Sequence, residues 1–394
     1  MNDRRSFCFL WVSQMIANAG DVLYIVGLIQ LVYSSSGSVL ALTLIPLTIT
    51  FSRLVGSFLT PLLLHRFSLR RILLSSMFGK VVVLSAVFLM KDEVIAWILL
   101  LVSINAFLDG WSSPIRQAML PEFAGKSELP KANSVIATSD NTVNLASWPL
   151  GAFCVALFGG GPLLLFTVSL YLIAWCLTFG IRIIPHNKKE GPLLKEQLSS
   201  GWKYSFSHQS IRNILFLDTL LAFTGAVWIS AILYVYVEDI LDKSEAWWGY
   251  INALYSGGCL VGGVLFYKFS KISAHQLIIG GSIFTGMLTI WFINPVFALM
   301  ALISSFLLGV VGQLQGMAHL TVLQTQTETE QLGEVFSTQE VLVTGAFGLA
   351  TFTFGWIAET FGIEIAFYSA AILSIGAGMF AMFQKKSLVY LLDE

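Results

Sequence analysis

Charge is scarce in this chain. Of 394 residues, 22 are Lys or Arg and 23 are Asp or Glu, 11% in all; a soluble domain carries about 25%. That excludes an ordinary soluble fold. The net charge is −1, so no bulk charge suggests nucleic acid. Cysteine is almost absent. Cys8, Cys154, Cys176 and Cys259 stand singly in apolar stretches, with no CxxC and no His/Cys cluster, so they read as lipid-facing or packing residues rather than metal ligands. Signatures of soluble enzymes are missing too. "AGKS" at 124–127 ends like a phosphate loop, but Leu120 stands where its first Gly is required, and there is no HExxH or GxSxG. No catalysis, cofactor or nucleotide site is expected, and energy for any work is expected from an ion gradient.

What fills the chain is apolar sequence, 56% of it. Windows of about 20 apolar residues, the length that crosses a bilayer, fall at roughly 7–33, 38–64, 71–90, 94–118, 131–157, 162–184, 211–237, 245–268, 274–293, 296–324, 333–358 and 363–384. The fold class is therefore an all-α membrane protein of twelve spans. The separators divide by charge: eighteen Lys and Arg, from Arg4 to Lys386, fall on one side, and only Lys91 and Lys243 on the other. By the positive-inside rule both termini are cytoplasmic and the protein sits in the cell membrane. "DRRSF" near the start resembles a twin-arginine export signal, but the apolar run behind it is too long for one.

One connection is long and basic, 185–210, and Leu194, Leu198 and Trp202 recur in it at helical spacing, as in a helix lying on the membrane surface. It divides the chain into bundles 1–184 and 211–394. The bundles echo each other. "LVGSFLTPLLLHRFS" (54–68) closes the second span and "LVGGVLFYKFS" (260–270) the eighth; Asp140 in "TSDN" answers Glu340 in "STQE", in the fifth span of each half. Two pseudo-symmetric six-helix bundles in parallel orientation follow.

An ionisable side chain at the centre of a span costs about 2.5–3.5 kcal/mol on the insertion scale. Those that persist are functional candidates: Asp21, Arg53, Lys80, Asp109, Asp140, Asp218, Glu340 and His319. Several belong to polar faces. Gln14, Asn18 and Asp21 share one face of the first span; Thr50, Arg53, Ser57 and Thr60 one of the second; Asn105, Asp109, Ser112 and Arg116 one of the fourth; Asp140, Asn144 and Ser147 one of the fifth. Lipid rejects such stripes, so they face protein or water, as in a hydrated cavity. The bland reading pairs Arg53 with Asp21 or Asp109 as a strut. Lys80 reads as structural, snorkelling or tying the third span to a neighbour, and His319, one turn after Gln315, as a satisfied packing histidine. In the second half Asp218, Trp228 and Gln313 add acid, aromatic and amide surface. Closely spaced glycines (Gly258 and Gly262, Gly312 and Gly316, Gly345 and Gly348) read mainly as helix packing.

"FLWVSQMIANAGDVLYIVGLIQLVYSSSGSVLAL", with its Gly20-Asp21 pair, "SPIRQAMLPEFAGKSELPKANSV", "GWKYSFSHQSIRNILF", "WWGYINALYSGGCLVGG" and "GEVFSTQEVLVTGAFGLATFTFGWIAETFG" together resemble the major facilitator superfamily. More narrowly the chain resembles its drug:proton antiporter branch, which includes macrolide-efflux and enterobactin-exporter proteins. The resemblance spans nearly the whole chain and says little about substrate. It implies a gating loop between the second and third spans, here Gly56, His65, Arg66, Arg70 and Arg71. The family's acid in that loop, part of a charge-linked latch, is replaced by His65, which can hydrogen-bond and titrate. In the third span Lys80 fits the family's Arg, while Met77 stands where its acid is expected.

These readings combine into an exporter of small amphipathic or cationic compounds, driven by protons and working by alternating access as a monomer. Proton-coupling candidates are Asp21, Asp109, Asp140 and Glu340. Cavity candidates are Gln14, Asn18, Arg53, Asn105, Asn144, Asp218, Trp228 and Gln313. The expected partners are a small-molecule substrate, protons and the lipid bilayer. The rivals are an importer or uniporter of a polar metabolite, and a non-transporting sensor on a carrier scaffold, which the altered latch favours.

Overall fold

A computed structural model describes residues 4–36, 39–90, 95–125, 127–182, 194–228, 230–244, 246–268 and 273–384. Among the described residues there is helix and no strand. The helices are α1 (Arg4–Ser36), α2 (Val39–Arg66), α3 (Leu69–Leu89), α4 (Ile95–Phe123), α5 (Leu129–Phe158), α6 (Gly160–Thr178), α7 (Leu194–Ser207), α8 (Gln209–Gly225), α9 (Ser230–Val235), α10 (Ala246–Lys268), α11 (Ala274–Ile293), α12 (Leu299–Gln326), α13 (Leu332–Phe361) and α14 (Ile363–Phe383). Among the described residues, twelve helical segments are long and apolar enough to cross a membrane. Their outward faces suit lipid: Phe153, Phe166, Phe284 and Phe352 are all exposed. Of the cysteines, Cys8 and Cys176 are exposed, Cys154 is half-buried and Cys259 is buried.

The chain forms two compact units. Unit 1 contains Met1–Lys126, Thr142–Tyr204 and Glu328–Val341; unit 2 contains Ser127–Asn141, Ser205–Thr327 and Leu342–Glu394. The opening turns of α5 thus belong to unit 2, and those of α13 to unit 1.

Both units use one packing device. In unit 1, α2 and α4 touch backbone to backbone: a Cβ on Gly56 would collide with Phe107 O, and one on Gly110 with Arg53 O. In unit 2, α10 and α12 do the same, Gly258 against Phe306 O and Gly309 against Tyr255 O. Contacts this close demand residues without a side chain. The duplication continues where the opening turns of α5 and α13 dock. Ser134 Oγ donates to Gly263 O at 2.6 Å in unit 2, and Ser337 Oγ donates to Ser57 O in unit 1. Gly263 and Ser57 each directly follow an LVG triplet.

The seventh span departs from the continuous helix expected over 211–237. After α8 come a 3₁₀ turn (Ala226–Trp228), the short α9 and a π turn (Tyr236–Ile240). Gly225, a poor helix former, ends α8. The change of pitch lets two side chains meet one ring: Trp228 packs edge-on to Phe292 at 4.7 Å, while Tyr236 stacks on it at 4.2 Å and donates to Phe292 O at 2.5 Å. In the long connection a helix does form, α7, whose Gly201 lies against Glu334 O and Thr338 Oγ1 of α13. Residues 185–193, the basic start of that connection, lie outside the described residues.

Candidate functional site

Unit 1 holds a continuous chain of charge. Asp21 of α1 accepts from Lys80 Nζ at 2.9 Å and from the Tyr171 hydroxyl of α6 at 2.5 Å. Lys80 Nζ, on α3, also donates to Asp109 Oδ1 of α4 at 2.7 Å. Asp109 Oδ2 lies 3.5 Å from Arg53 Nη1 of α2, and Arg53 Nε lies 3.2 Å from Glu340 Oε1 of α13. The order Asp21, Lys80, Asp109, Arg53, Glu340 alternates in sign. Lys80 is the driest member, its side chain 1% exposed, whereas Asp21 is 27% exposed and is the most exposed of the three carboxylates. Among these five groups three carboxylates face two cations, and Arg116, on the same helix as Asp109, acts on that acid as a third.

This geometry decides between two pairs of alternatives. Arg53 pairs with Asp109 and Glu340; the cation on Asp21 is Lys80. And Lys80 does not snorkel: it bridges two acids, with Nζ 5.2 Å from the Tyr171 ring centre. Its helix is also less bare than expected, since Ser76, one turn earlier, meets Ser112 Oγ at 2.8 Å and donates to Leu108 O at 2.7 Å, clamping α3 to α4. Tyr171 drew no attention in the sequence, because a lone tyrosine in an apolar span is unremarkable. Thr167, one turn before it, is the faint signal of a second polar position on that face.

Two cavity candidates beside the chain are buried amides with an unpartnered atom, Gln14 Nε2 and Asn105 Oδ1. Gln14 lies on the Asp21 face of α1, and Asn105 one turn before Asp109 on α4. A buried unpartnered donor and acceptor are costly to leave unmet, about 1–3 kcal/mol each. Asn18 is half-buried on the same face as Gln14, and Asn144 is exposed on α5.

The loop after α2 meets an acid from elsewhere. His65 Nε2 lies 3.2 Å from Glu334 Oε1 at the start of α13, and the adjoining Leu64 packs on Gly333. Arg70 Nη2 donates to Phe179 O at 2.7 Å beyond the end of α6. Arg66 and Arg71 are exposed.

Unit 2 separates its candidates. Asp218 of α8 contacts His319 Nδ1 of α12. Gln313 Oε1 accepts from Asn141 Nδ2 at 3.0 Å, beside the half-buried Asp140. Trp228 is engaged in the aromatic packing with Phe292 and Phe367. No cluster of three or more metal-ligating side chains occurs among the described residues.

Among the described residues, twelve helices long and apolar enough to cross a membrane, with a chain of charge inside unit 1, define a polytopic membrane protein. The profile of the Major Facilitator Superfamily matches residues 10–323, and the chain belongs to that superfamily of transporters. Over 385 residues it is 26% identical to the uncharacterized MFS-type transporter YfmI of Bacillus subtilis (strain 168), covering 94% of both chains. It is 23% identical over 385 residues to the multidrug efflux pump Tap of Mycolicibacterium fortuitum, covering 94% of this chain and 93% of that one. Among solved structures it is similar in fold to the fucose:proton symporter FucP of E. coli (TM-score 0.79, 14% identity, 97% of this chain and 99% of that one). It is likewise similar to the human organic anion transporter MFSD10 (TM-score 0.80, 12% identity, 96% and 99%).

Proposed function

We propose that this transporter exports small amphipathic or cationic compounds from the cytoplasm in exchange for protons. The observation that carries the proposal is Asp21, a part-exposed carboxylate at the end of the ion chain. Either a proton or a cation can neutralise it, but not both, and that mutual exclusion is what an antiporter needs. Asp21 is the exchange point. It is the wettest carboxylate of the chain, it sits at the chain's end, and Gln14 on its face offers an amide to a polar ligand. Lys80 keeps Asp21 oriented and shares its attraction between two acids, so a competing cation displaces only part of it. The similarity to a multidrug efflux pump favours the export direction and a drug-like substrate.

Alternating access would turn the bundles 1–184 and 211–394 about the connection 185–210, with both termini cytoplasmic and one copy of the chain sufficient in the cell membrane. The His65–Glu334 pair is the gate: it ties the loop after α2 to the start of α13 and must part when α13 moves. A carboxylate is thus paired at the family's latch position with polarity reversed. That weakens the case for a non-transporting sensor, which rested on the missing acid.

The test is proton counterflow. In liposomes enclosing a pH dye, adding ethidium, a lipophilic monovalent cation, is expected to drive proton movement against it. Ethidium flux without proton movement would favour a uniporter, and binding without flux a sensor.

A further inference from the structure

Arg70 and Arg71 take no part in the contact between His65 and Glu334. They belong to a group of charges where three helix ends of unit 1 meet, the starts of α1 and α3 and the end of α6. Arg70 Nη2 donates to Phe179 O at 2.7 Å. The backbone N–H of Arg182 donates to Ser6 Oγ at 2.9 Å. Gly180 lies against the Phe9 ring, and Arg5 sits over that ring at 5.7 Å. Arg4, Arg5, Arg70, Arg71 and Arg182 thus share one end of the unit. Among the described residues no carboxylate makes an ion pair with any of the five. Arg70 Nε is also left without an acceptor. We infer that this end of unit 1 holds one anionic phospholipid, with its phosphate on Arg70 and Arg71 and an acyl chain along α3 and α6.

Positive charge at helix ends is general in membrane proteins; the surface beneath this charge is what fits a lipid. Arg71, Ser75 and Phe78 share one face of α3, and all three are exposed. At a rise of about 1.5 Å per residue, Ser75 lies about 6 Å and Phe78 about 10 Å further along the helix than Arg71. Guanidinium, hydroxyl and ring follow in the order of a phospholipid's phosphate, ester carbonyl and acyl chain. On α6, Trp175 meets Phe78 at 5.4 Å and Phe179 at 4.9 Å between ring centres. Phe78 and Phe179 are each 50% exposed, so the three rings form a wall open on one side. A free phosphate would use only the charged end of this surface.

Charge selects the headgroup. A guanidinium takes a phosphate through a planar fork of donors, and the bond to Phe179 O already holds Arg70 in place, so less side-chain freedom is lost on binding. Five cations without a carboxylate favour a headgroup of net negative charge over one that brings its own ammonium. The arginines are not needed to join the helices. At the corresponding end of unit 2, amides do so: Gln384, after α14, accepts from Gln209 and Asn213 of α8, both at 3.2 Å.

Binding tests the inference, whatever compound the protein carries. The full chain in detergent is offered phosphatidylglycerol, which is anionic, and phosphatidylcholine, which is zwitterionic, in equal amounts, and retained lipid is weighed by native mass spectrometry. One phosphatidylglycerol is expected to be retained in preference. Arg70→Gln with Arg71→Gln is expected to weaken its retention about tenfold. Lys203→Gln with Arg212→Gln, which removes the same charge from exposed positions elsewhere, is expected to leave it unchanged. No loss in the first double variant, equal loss in both, or no preference between the lipids in the wild type would overturn the inference. Displacement of the lipid by excess inorganic phosphate would overturn it too, since the arginines would then take a free anion. Where the arginine variant fails to fold, the wild type still decides. Phosphatidylglycerol with a diazirine on its acyl chain is expected to label α3 and α6 around Phe78 and Trp175. Label spread evenly over the outward faces of the helices would contradict the site.

Discussion

Lys80 Nζ stands between two carboxylates, 2.9 Å from Asp21 and 2.7 Å from Asp109, in a side chain that is 1% exposed. This one cation joins α1, α3 and α4. Its removal leaves Asp21 with no cation and Asp109 with Arg53 alone, and breaking a buried pair costs about 3–5 kcal/mol. Lys80→Met is therefore expected to lower the thermal unfolding midpoint markedly in detergent. Lys80→Met combined with Asp21→Asn should recover part of the loss. A single variant as stable as the wild type would show that the bridge contributes nothing to folding.

The proposed gate gives a charge-reversal prediction. His65→Asp restores the family's usual loop acid, but here it would face Glu334, with two carboxylates in place of an imidazole and one. Like charges in contact repel. Transport should slow in His65→Asp and return in His65→Asp with Glu334→His. Initial efflux rates at matched expression test this. Equal rates in all three proteins would remove the loop from gating.

The duplicated glycine contacts predict paired effects. Gly56→Ala in unit 1 and Gly258→Ala in unit 2 each force a methyl into a backbone carbonyl, an overpacking worth about 1–3 kcal/mol. Because the two sites lie in different units, their costs should add. Thermal unfolding of both single variants and the double variant checks the sum, and a Gly258→Ala protein of unchanged stability would contradict the account of α10–α12 packing.

Orientation is testable by labelling. In a background without Cys8, Cys154, Cys176 and Cys259, cysteines at the exposed Phe158 and Lys243 should react in intact cells, and those at Phe67 and Ser207 only after permeabilisation. Labelling of Ser207→Cys in intact cells would contradict the cytoplasmic placement of α7.

The spans were legible because a bilayer imposes a length and a composition on each of them. Asp21, Arg53, Asp109 and Glu340 were legible because charge in a span is costly and must have a reason. Their partners were less so. Spacing on one helix fixes the face a residue occupies, but which neighbour that face meets depends on how helices pack, so Lys80 rather than Arg53 reached Asp21. Tyr171 carries no charge and gave no such signal. The repeated LVG triplets did foretell something concrete: the carbonyls of Ser57 and Gly263 right after them receive the hydroxyls of Ser337 and Ser134. The break after Gly225 was hidden, since no proline marks it and the aromatic contacts that reward it come from other helices. Glu334 as the partner of His65 was hidden for the same reason, some 270 residues away in sequence.

Whether Asp21 is an exchange point or only an anchor for Lys80 is decided by Asp21→Asn, which keeps size and hydrogen bonding while removing the charge. The measurement is ethidium efflux from reconstituted vesicles over a range of pH, with the thermal midpoint of the same preparation. Proton exchange at Asp21 predicts a folded protein that has lost most active efflux and the pH dependence of what remains. A stable Asp21→Asn protein that still pumps with the wild-type pH profile would contradict it.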